Sequence, residues 1–297
     1  MLKIVIPKGS LEESTLQLFS QAGLSIMRRN SRDYNLSISD PRIEEAMMLR
    51  AQEIPKYVEE GEFDIGITGY DWIVETEVVV KEVADLQFSK QGWRKVKIIL
   101  ATNNSNSVNN VSEIKADSRV VTEYPRLTRR YFKSIGKGKI SIRGSFGATE
   151  VKVPRLADYL VDVTETGETL RQNNKKILDV ILESSTRLIA NIESWNDSEK
   201  RKDINEICSL LIGTIAAQDK TLIKMNVAER DLRKIIDFLP ALRAPTISSL
   251  FLGDKEQEKW FMVETVVEKK NLNIIIPKAK ELGAKDILEI KISKMIP

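Results

Sequence analysis

The chain has 297 residues, of which 46 are Lys or Arg and 43 are Asp or Glu, so its formal net charge is +3. This near balance argues against a dedicated nucleic-acid arm, and 42% hydrophobic with 30% charged residues is typical of a folded globular protein. One cysteine and no histidine exclude Ser-His-Asp or Cys-His catalysis, His-ligated metals and cysteine-cluster zinc sites. No run resembles a signal peptide or a membrane helix, so we expect no membrane partner and a cytoplasmic location.

Short β-branched runs alternate with helical patterns through the first two thirds of the chain, which predicts largely parallel α/β sheets. The patterns predict strands at 2–6, 63–68, 96–101, 119–122, 157–163 and 187–192, and helices at 11–22, 54–60, 127–135 and 200–218. Ser10 is the predicted N-cap of the first helix, with Glu13 at the reciprocal capping position. Cys208 lies on the apolar stripe of the last helix, which indicates a core thiol rather than a nucleophile.

The pattern changes after about residue 219. It predicts strands at 221–226, 246–252, 260–267 and 287–292, and helices at 229–239 and 272–282. The order βαββαβ is that of the ferredoxin-like split unit. We therefore expect two α/β lobes and a small C-terminal domain.

Residues 157–170 form the most informative segment. A buried strand delivers Asp162, a loop with Gly167 follows, and a helix begins after it. Hydroxyl donors come from Thr164, Thr166 and Thr169. Free amides at the helix start, with glycine allowing close approach, would hold a phosphate monoester, while Asp162 would accept hydrogen bonds from sugar hydroxyls. An ordinary capped turn is an equal alternative, and Glu165 and Glu168 would repel an anion unless they point away.

Other polar groups also follow predicted strands. Residues 63–71 end a buried strand in glycines, and together with the first loop they predict a cleft that grips a ligand from both lobes, although close packing alone would explain them. Lys8, Arg50 and Gln52 lie near turns or helix starts, where solvated surface residues are the alternative. Residues 122–133 are basic with interleaved aromatics, but amphipathicity and the low net charge favour a polyphosphate ligand over nucleic acid.

These segments, in this order, resemble ATP phosphoribosyltransferase, the family that opens histidine biosynthesis. They are IPKGSL at 6–11, RAQEIP at 50–55, DIGITG at 64–69, TEYP at 122–125, TRRY at 128–131 and DVTETGETL at 162–170. Residues 239–240, 244–247 and 282–284 resemble the long form of the family, so the resemblance covers essentially the whole chain.

The resemblance implies a two-lobed, periplasmic-binding-protein-like α/β catalytic core with a C-terminal ferredoxin-like (βαββαβ) regulatory domain. Lobe I would comprise residues 1–92 and 188–218 on the nucleotide side, lobe II residues 93–187 with the PRPP site, and the regulatory domain residues 219–297. The family forms dimers and hexamers, so a homo-oligomer is expected.

The reaction implied is transfer of the phosphoribosyl group of phosphoribosyl pyrophosphate (PRPP) to N1 of ATP, giving phosphoribosyl-ATP and pyrophosphate. Adenine N1 is itself a nucleophile, so no covalent catalytic group is needed and alignment with charge stabilisation suffices. Mg²⁺ would be held mainly by the substrate. The alternatives are a two-lobed sensor without catalysis and a phosphoribosyltransferase that uses another base.

The resemblance also assigns residues to ligands. For PRPP they are Glu150, Asp162, Val163, Thr164, Glu165, Thr166, Gly167, Glu168 and Thr169. For ATP they are Lys8, Gly9, Arg50, Gln52, Thr68, Gly69 and Tyr124. For histidine as feedback inhibitor they are Asn226, Leu242, Ala244, Thr246 and Asp286. Ser10 stands where the family commonly has Arg, which predicts that one cationic contact to phosphates is missing or moved. Ala244 and Asn226 also depart from the common pattern, which predicts fewer hydrogen bonds to histidine.

Overall fold

A computed structural model describes residues 1–30, 33–88, 95–240, 244–251 and 258–296. The chain divides into two compact units, Met1–Cys208 and Ser209–Pro297. Leu242, predicted to bind histidine, lies outside the described residues, as does the end of the strand predicted at 246–252. The residue boundaries expected for the lobes and for the regulatory domain stay predictions.

The described residues form sixteen strands and nine α-helices. The strands are β1 Leu2–Lys8, β2 Ile26–Met27, β3 Asn35–Ile38, β4 Ile43–Arg50, β5 Ile65–Gly69, β6 Lys81–Asp85, β7 Val96–Asn103, β8 Arg119–Thr122, β9 Ser141–Gly144, β10 Tyr159–Thr164, β11 Lys175–Ser184, β12 Thr186–Ala190, β13 Lys220–Ala228, β14 Thr246–Ser249, β15 Trp260–Glu268 and β16 Lys285–Lys291. The helices are α1 Glu12–Ala22, α2 Ile54–Glu59, α3 Tyr70–Thr76, α4 Pro125–Ser134, α5 Glu168–Gln172, α6 Ile192–Asn196, α7 Ser198–Ala217, α8 Glu229–Phe238 and α9 Leu272–Glu281. None of them, within the described ranges, is both long and apolar enough to cross a bilayer.

The first sheet of the first unit, here called lobe I with its helices, has the strand order β2-β3-β4-β1-β5-β12-β6. β1 is parallel to both β4 and β5, and its side chains Ile4, Val5 and Ile6 are fully buried. A strand covered on both faces has to be a continuous apolar run, which is why β1 could be recognised from sequence. β12 runs antiparallel to β5 and β6, so the sheet is mixed rather than largely parallel as predicted.

The second sheet, here called lobe II with its helices, has the order β11-β7-β10-β8-β9. β8 is parallel to β9 and β10, whereas β7 runs antiparallel to β10 and β11. Only Ser185 separates β11 in lobe II from β12 in lobe I, so the chain returns directly without a crossover helix. A return of this kind places antiparallel strands in both sheets and explains why the parallel prediction failed for them.

The start of α1 differs from the prediction. The helix begins at Glu12 with Leu11 at the N-cap, and no side chain caps it, so the predicted roles of Ser10 and Glu13 are wrong. Gly9 has φ of +96° and makes the turn, and its N–H donates to the Glu12 carboxylate at 3.3 Å. Ser10 therefore lies in the turn itself.

The second unit has the order βαββαβ in its chain and β14-β15-β13-β16 in its sheet, with antiparallel pairing throughout. One face of the sheet packs its buried side chains against α8 and α9. The core consists of Ile223, Met225, Val227, Ile235, Leu239, Val263, Val267, Ile275, Ala279 and Ala284. The predicted ferredoxin-like module is confirmed.

Candidate active site

A cavity of about 540 Å³ lies in the first unit, where the ends of lobe I strands face those of lobe II. Its lining includes every residue predicted for PRPP or ATP except Thr68 and Gly167. The sequence analysis assigned no ligand to several other lining residues, among them Ser10, Asp71, Trp72, Glu123, Ser184, Ser185 and Thr186. The structure thus brings together residues from segments that lie far apart in the chain.

The lobe I wall is built on the carboxyl ends of two parallel strands. Lys8 on β1 is in register with Arg50 on β4, and both line the cavity. Thr68 is fully buried behind the wall, where its hydroxyl donates to the Ala51 carbonyl at 2.7 Å and fixes the segment that carries Gln52. Thr68 therefore supports this wall indirectly, through its hydrogen bond to the backbone of Ala51.

Gly69 joins β5 to α3 and lines the same wall. A Cβ atom added there would lie 2.3 Å from the Asp71 Oδ1 atom, closer than atoms can approach. The position therefore requires glycine because of the buried carboxylate next to it, not because of its backbone angles.

The lobe II wall consists largely of the loop between β10 and α5. Gly167 has φ of +75°, which favours glycine, and its N–H donates to the Thr164 hydroxyl at 2.9 Å. The Glu168 N–H donates to the Thr166 hydroxyl at 3.3 Å. The first amides of the helix are thus held by the loop's own threonines. Arg171 lies 2.9 Å from the Glu168 carboxylate and offsets its charge.

Asp162 lies near two other acidic residues of the cavity, Glu123 and Glu150. Burial, the largest cause, and the negative charges of Glu123 and Glu150 together raise the pKa of its carboxyl to about 6, although the Val163 N–H opposes the shift by donating to Oδ1 at 2.7 Å. Glu123 in turn accepts a hydrogen bond of 2.8 Å from the Gly147 N–H. This acidic corner is suited to accepting hydrogen bonds from hydroxyl groups. Across the described ranges, no group of three or more His, Cys, Asp or Glu side chains is arranged to hold a metal ion.

A buried hydrogen-bond chain between the lobes was missed by the sequence analysis. Tyr124, at the start of α4, donates its hydroxyl to Asp71 Oδ2 at 2.8 Å. Ser184 donates its hydroxyl to Asp71 Oδ1 and accepts the Asp71 N–H at 3.0 Å. Trp72 stacks on the Tyr124 ring with centroids 4.5 Å apart. Burial raises the pKa of Asp71, and the pKa of Tyr124 lies well above its usual value because of burial and the neighbouring carboxylate.

Comparisons with known proteins agree over the whole chain. Residues 50–213 match the family model described as ATP phosphoribosyltransferase, and residues 217–294 match that of the HisG C-terminal domain. A protein named ATP phosphoribosyltransferase from Pelodictyon phaeoclathratiforme is 46% identical over 296 residues, covering 100% of this chain and 98% of that one. One from Thermodesulfovibrio yellowstonii is 43% identical over 297 residues, covering 100% and 99%.

The chain belongs to the ATP phosphoribosyltransferase family. A solved structure of the ATP phosphoribosyl transferase (HisG:HisZ) complex from Thermotoga maritima is also similar, at 28% identity and a TM-score of 0.62. That alignment covers 73% of this chain and 99% of the other. The resemblance drawn from the sequence motifs is confirmed, as are the predicted fold class and the glycosyltransferase activity at the first step of histidine biosynthesis.

The family resemblance also assigned a histidine site in the second unit. Asn226 on β13 donates to the Asp286 carboxylate at 2.9 Å, so these two residues are together. Thr246 begins β14 and pairs with Glu264 on β15, the strand between β14 and β13, and Ala244 lies just before it. The amide of Asn226 already has a partner, so a ligand there would have to compete with Asp286.

Cys208 does not contribute to this chemistry. It is half-buried on α7, and burial raises the pKa of its thiol, which disfavours the reactive thiolate. Its neighbours on the helix, Ile204, Ile207 and Leu211, are fully buried.

Proposed function

We propose that the cavity holds PRPP against lobe II and ATP against lobe I, so that adenine N1 reaches the anomeric carbon of PRPP. The observation that supports this arrangement is the lining itself, which combines the two predicted sets of residues on opposite walls of one cavity. A volume of about 540 Å³ falls in the range of small-molecule sites.

In this proposal the β10–α5 loop binds the phosphorylated end of PRPP. The hydroxyls of Thr164, Thr166 and Thr169 turn towards the phosphate oxygens, and Gly167 keeps the backbone free of a side chain. Asp162 accepts hydrogen bonds from the ribose hydroxyls, and it does so best in its ionised form, in which both oxygens are acceptors. Glu150 lines the same end of the cavity. Val163 at the end of β10, Glu165 in the loop and Glu168 at the start of α5 shape the same wall.

Lobe I supplies the ATP side. Lys8 and Arg50 provide two positive charges next to each other, suited to the triphosphate, while Gly9, Gln52 and Gly69 contribute backbone and amide contacts. The hydroxyl of Tyr124 is occupied by Asp71, so Tyr124 offers its ring and its position rather than a free donor. Thr68 supports the wall from behind.

The reaction needs no covalent intermediate. The lone pair on adenine N1 forms the new bond to the anomeric carbon as the bond to pyrophosphate breaks, and the protein aligns the two substrates. Mg²⁺ would neutralise the leaving pyrophosphate, and the oxygens of PRPP itself would be its main ligands. The carboxylates of Asp162, Glu123 and Glu150 line the same cavity and would be available as further oxygen ligands.

Regulation and assembly extend the same proposal. Histidine would bind the second unit around Asn226, Thr246, Ala244 and Asp286, and the protein would act as a homo-oligomer in the cytoplasm. The Asn226–Asp286 hydrogen bond would have to open for histidine, which favours weak feedback inhibition.

The test is turnover by the purified protein with ATP, PRPP and Mg²⁺. Phosphoribosyl-ATP and pyrophosphate should form in equal amounts, neither should form without PRPP, and free nucleobases should not replace ATP. Asp162→Asn should lower turnover at limiting PRPP, whereas Asp158→Asn, which breaks an ion pair with Arg119 outside the lining, should keep the KM for PRPP. Binding of both ligands without product would disprove the proposal.

A further inference from the structure

Two cations of the lobe I wall lie side by side on neighbouring strands. Lys8 and Arg50 are in register on parallel strands, so their Cα atoms are neighbours across the sheet. In the part of the chain that the structure describes, neither side chain forms an ion pair with a carboxylate. Adjacent like charges repel each other, so this wall is arranged to receive a polyanion rather than to stabilise the empty fold.

Tyr34 lies directly against this pair. The Lys8 ammonium is 4.1 Å from the centroid of the Tyr34 ring, which is the geometry of a cation–π contact. The hydrogen bond with Lys8, its charge and, more weakly, the charge of Arg50 lower the pKa of the Tyr34 hydroxyl. Tyr34 is 51% exposed and does not itself line the cavity, so it contacts Lys8 from outside the site.

The backbone holds Tyr34 in this place. Its carbonyl accepts the Met48 N–H at 2.8 Å, two residues before Arg50 on β4. The next residue, Asn35, begins β3 and pairs with Met47 on β4. The ring is therefore carried by the same sheet that carries both cations, and its contact with Lys8 does not depend on a free loop.

We propose that Tyr34 is a positioning residue for ATP: its ring holds the Lys8 ammonium beside Arg50, so that both cations meet the triphosphate together. This inference rests on the proposed function, in which lobe I binds ATP. A free lysine side chain loses many rotamers on binding, and a lysine already held against a ring loses fewer. The contact with the ring leaves N–H groups of the ammonium available to donate to the triphosphate, because the π face attracts the charge and does not occupy all three N–H donors.

The test is a set of four variants assayed at steady state. Tyr34→Ala removes the ring, Tyr34→Phe keeps it, Lys8→Ala removes the cation, and the double variant removes both. Tyr57→Ala is the control, since Tyr57 is a partly exposed tyrosine of α2 outside the cavity lining. The KM for ATP, the KM for PRPP and kcat are measured for each, and binding of sodium tripolyphosphate is followed by calorimetry at constant ionic strength.

Tyr34→Ala should raise the KM for ATP and the Kd for tripolyphosphate roughly two- to fivefold, with kcat and the KM for PRPP unchanged. Tyr34→Phe keeps the ring but loses the hydroxyl's hydrogen bond with Lys8, so its KM for ATP should lie between those of the unsubstituted protein and Tyr34→Ala, whereas Tyr57→Ala should match the unsubstituted protein. Lys8→Ala should raise the KM for ATP by about tenfold or more, and Tyr34→Ala should add nothing in that background. A merely structural role for Tyr34 would not produce this loss of additivity.

Three results would overturn the inference: an unchanged KM for ATP in Tyr34→Ala, additive effects of Tyr34→Ala and Lys8→Ala, or a rise in the KM for PRPP instead. If Lys8→Ala raises the KM for ATP and Tyr34→Ala does not, only the inference fails. If Lys8→Ala leaves the KM for ATP unchanged, the ATP side of the proposed function is wrong, and the role of Tyr34 fails with it.

Discussion

The buried chain Tyr124–Asp71–Ser184 gives the sharpest test of how the two lobes are held together. Tyr124→Phe removes one hydroxyl and changes nothing else in the shape of the side chain. Tyr124 is 3% exposed and Asp71 is 5% exposed, so water cannot readily replace the lost donor. Asp71 Oδ2 is then left without the tyrosine hydroxyl, while Oδ1 keeps the hydroxyl of Ser184.

A hydrogen bond to a buried charged group contributes about 1.5–3 kcal/mol, so we expect Tyr124→Phe to lower the free energy of unfolding by about 2 kcal/mol near neutral pH. The effect depends on pH. Burial raises the pKa of Asp71 above its ordinary value, and the two hydroxyls oppose that rise. When the pKa of a carboxyl is raised in the folded state, the free energy of unfolding falls as the pH increases from the ordinary pKa of that group through the raised one. Removing Tyr124's hydroxyl raises the pKa further, so the penalty should be larger at pH 8 than at pH 5.

The measurement is urea unfolding at both pH values, combined with a double-mutant cycle that pairs Tyr124→Phe with Asp71→Asn. We expect a coupling free energy of about 1–2 kcal/mol at pH 8. Tyr131→Phe is the matched control, since it lies on the same helix and its hydroxyl donates to Asp179, a partly exposed carboxylate. The control should cost about 1 kcal/mol or less. Equal penalties at the two pH values, or a coupling below about 0.5 kcal/mol, would refute the reasoning.

Three further substitutions test separate features. Asp162→Asn should raise the KM for PRPP about tenfold. It should also abolish the fall in kcat/KM for PRPP on the acidic side of the pH profile, which we expect near the Asp162 pKa of about 6. If that fall remains in the variant, a group other than Asp162 causes it. Gly167→Val, at φ of +75° with open space around its new Cβ, should cost about 1–2 kcal/mol of stability and raise the KM for PRPP by about tenfold, and normal PRPP kinetics would count against the loop. Gly66→Ala should cost about 1–3 kcal/mol in urea unfolding, because its Cβ would lie 2.7 Å from Ile54 Cγ2, whereas Gly138→Ala, with nothing within 4 Å, should be nearly neutral.

The strands that could be predicted from sequence are those whose burial is uniform. β8 was predicted at its observed bounds, Arg119–Thr122, and β1, β7 and β13 within three residues. β11 was missed because its register with β7 shifts twice along ten residues, so its side chains do not keep a period of two. β4 was missed because its sequence IEEAMMLR favours a helix, and parallel pairing with β1 overrides that preference.

The site could be predicted only as far as its residues belong to recognisable segments. Lys8, Arg50 and the loop from Asp162 stand in motifs of the family. Asp71 was missed because its partners Tyr124 and Ser184 lie 53 and 113 positions away, and no local pattern indicates such a chain. β5 ends at Gly69 and α3 begins at Tyr70, so in the sequence Asp71 is typical of an acidic residue in the first turn of a helix.

The loop of lobe II, predicted to bind PRPP, has a different local structure from the one that the prediction relied on. The prediction relied on unpaired amides and a helix dipole, but α5 is five residues long and the amides of Gly167 and Glu168 already donate to Thr164 and Thr166. A phosphate that took those amides would release the two threonine hydroxyls, which would then donate to the phosphate as well. The two hydrogen bonds lost inside the loop are therefore replaced by four to the phosphate, two from amides and two from hydroxyls, and the ion pair of Arg171 with Glu168 offsets the repulsion that the acidic side chain would otherwise add. By this argument the threonines are what make the loop selective for an anion, and serine at either position should preserve PRPP binding better than valine.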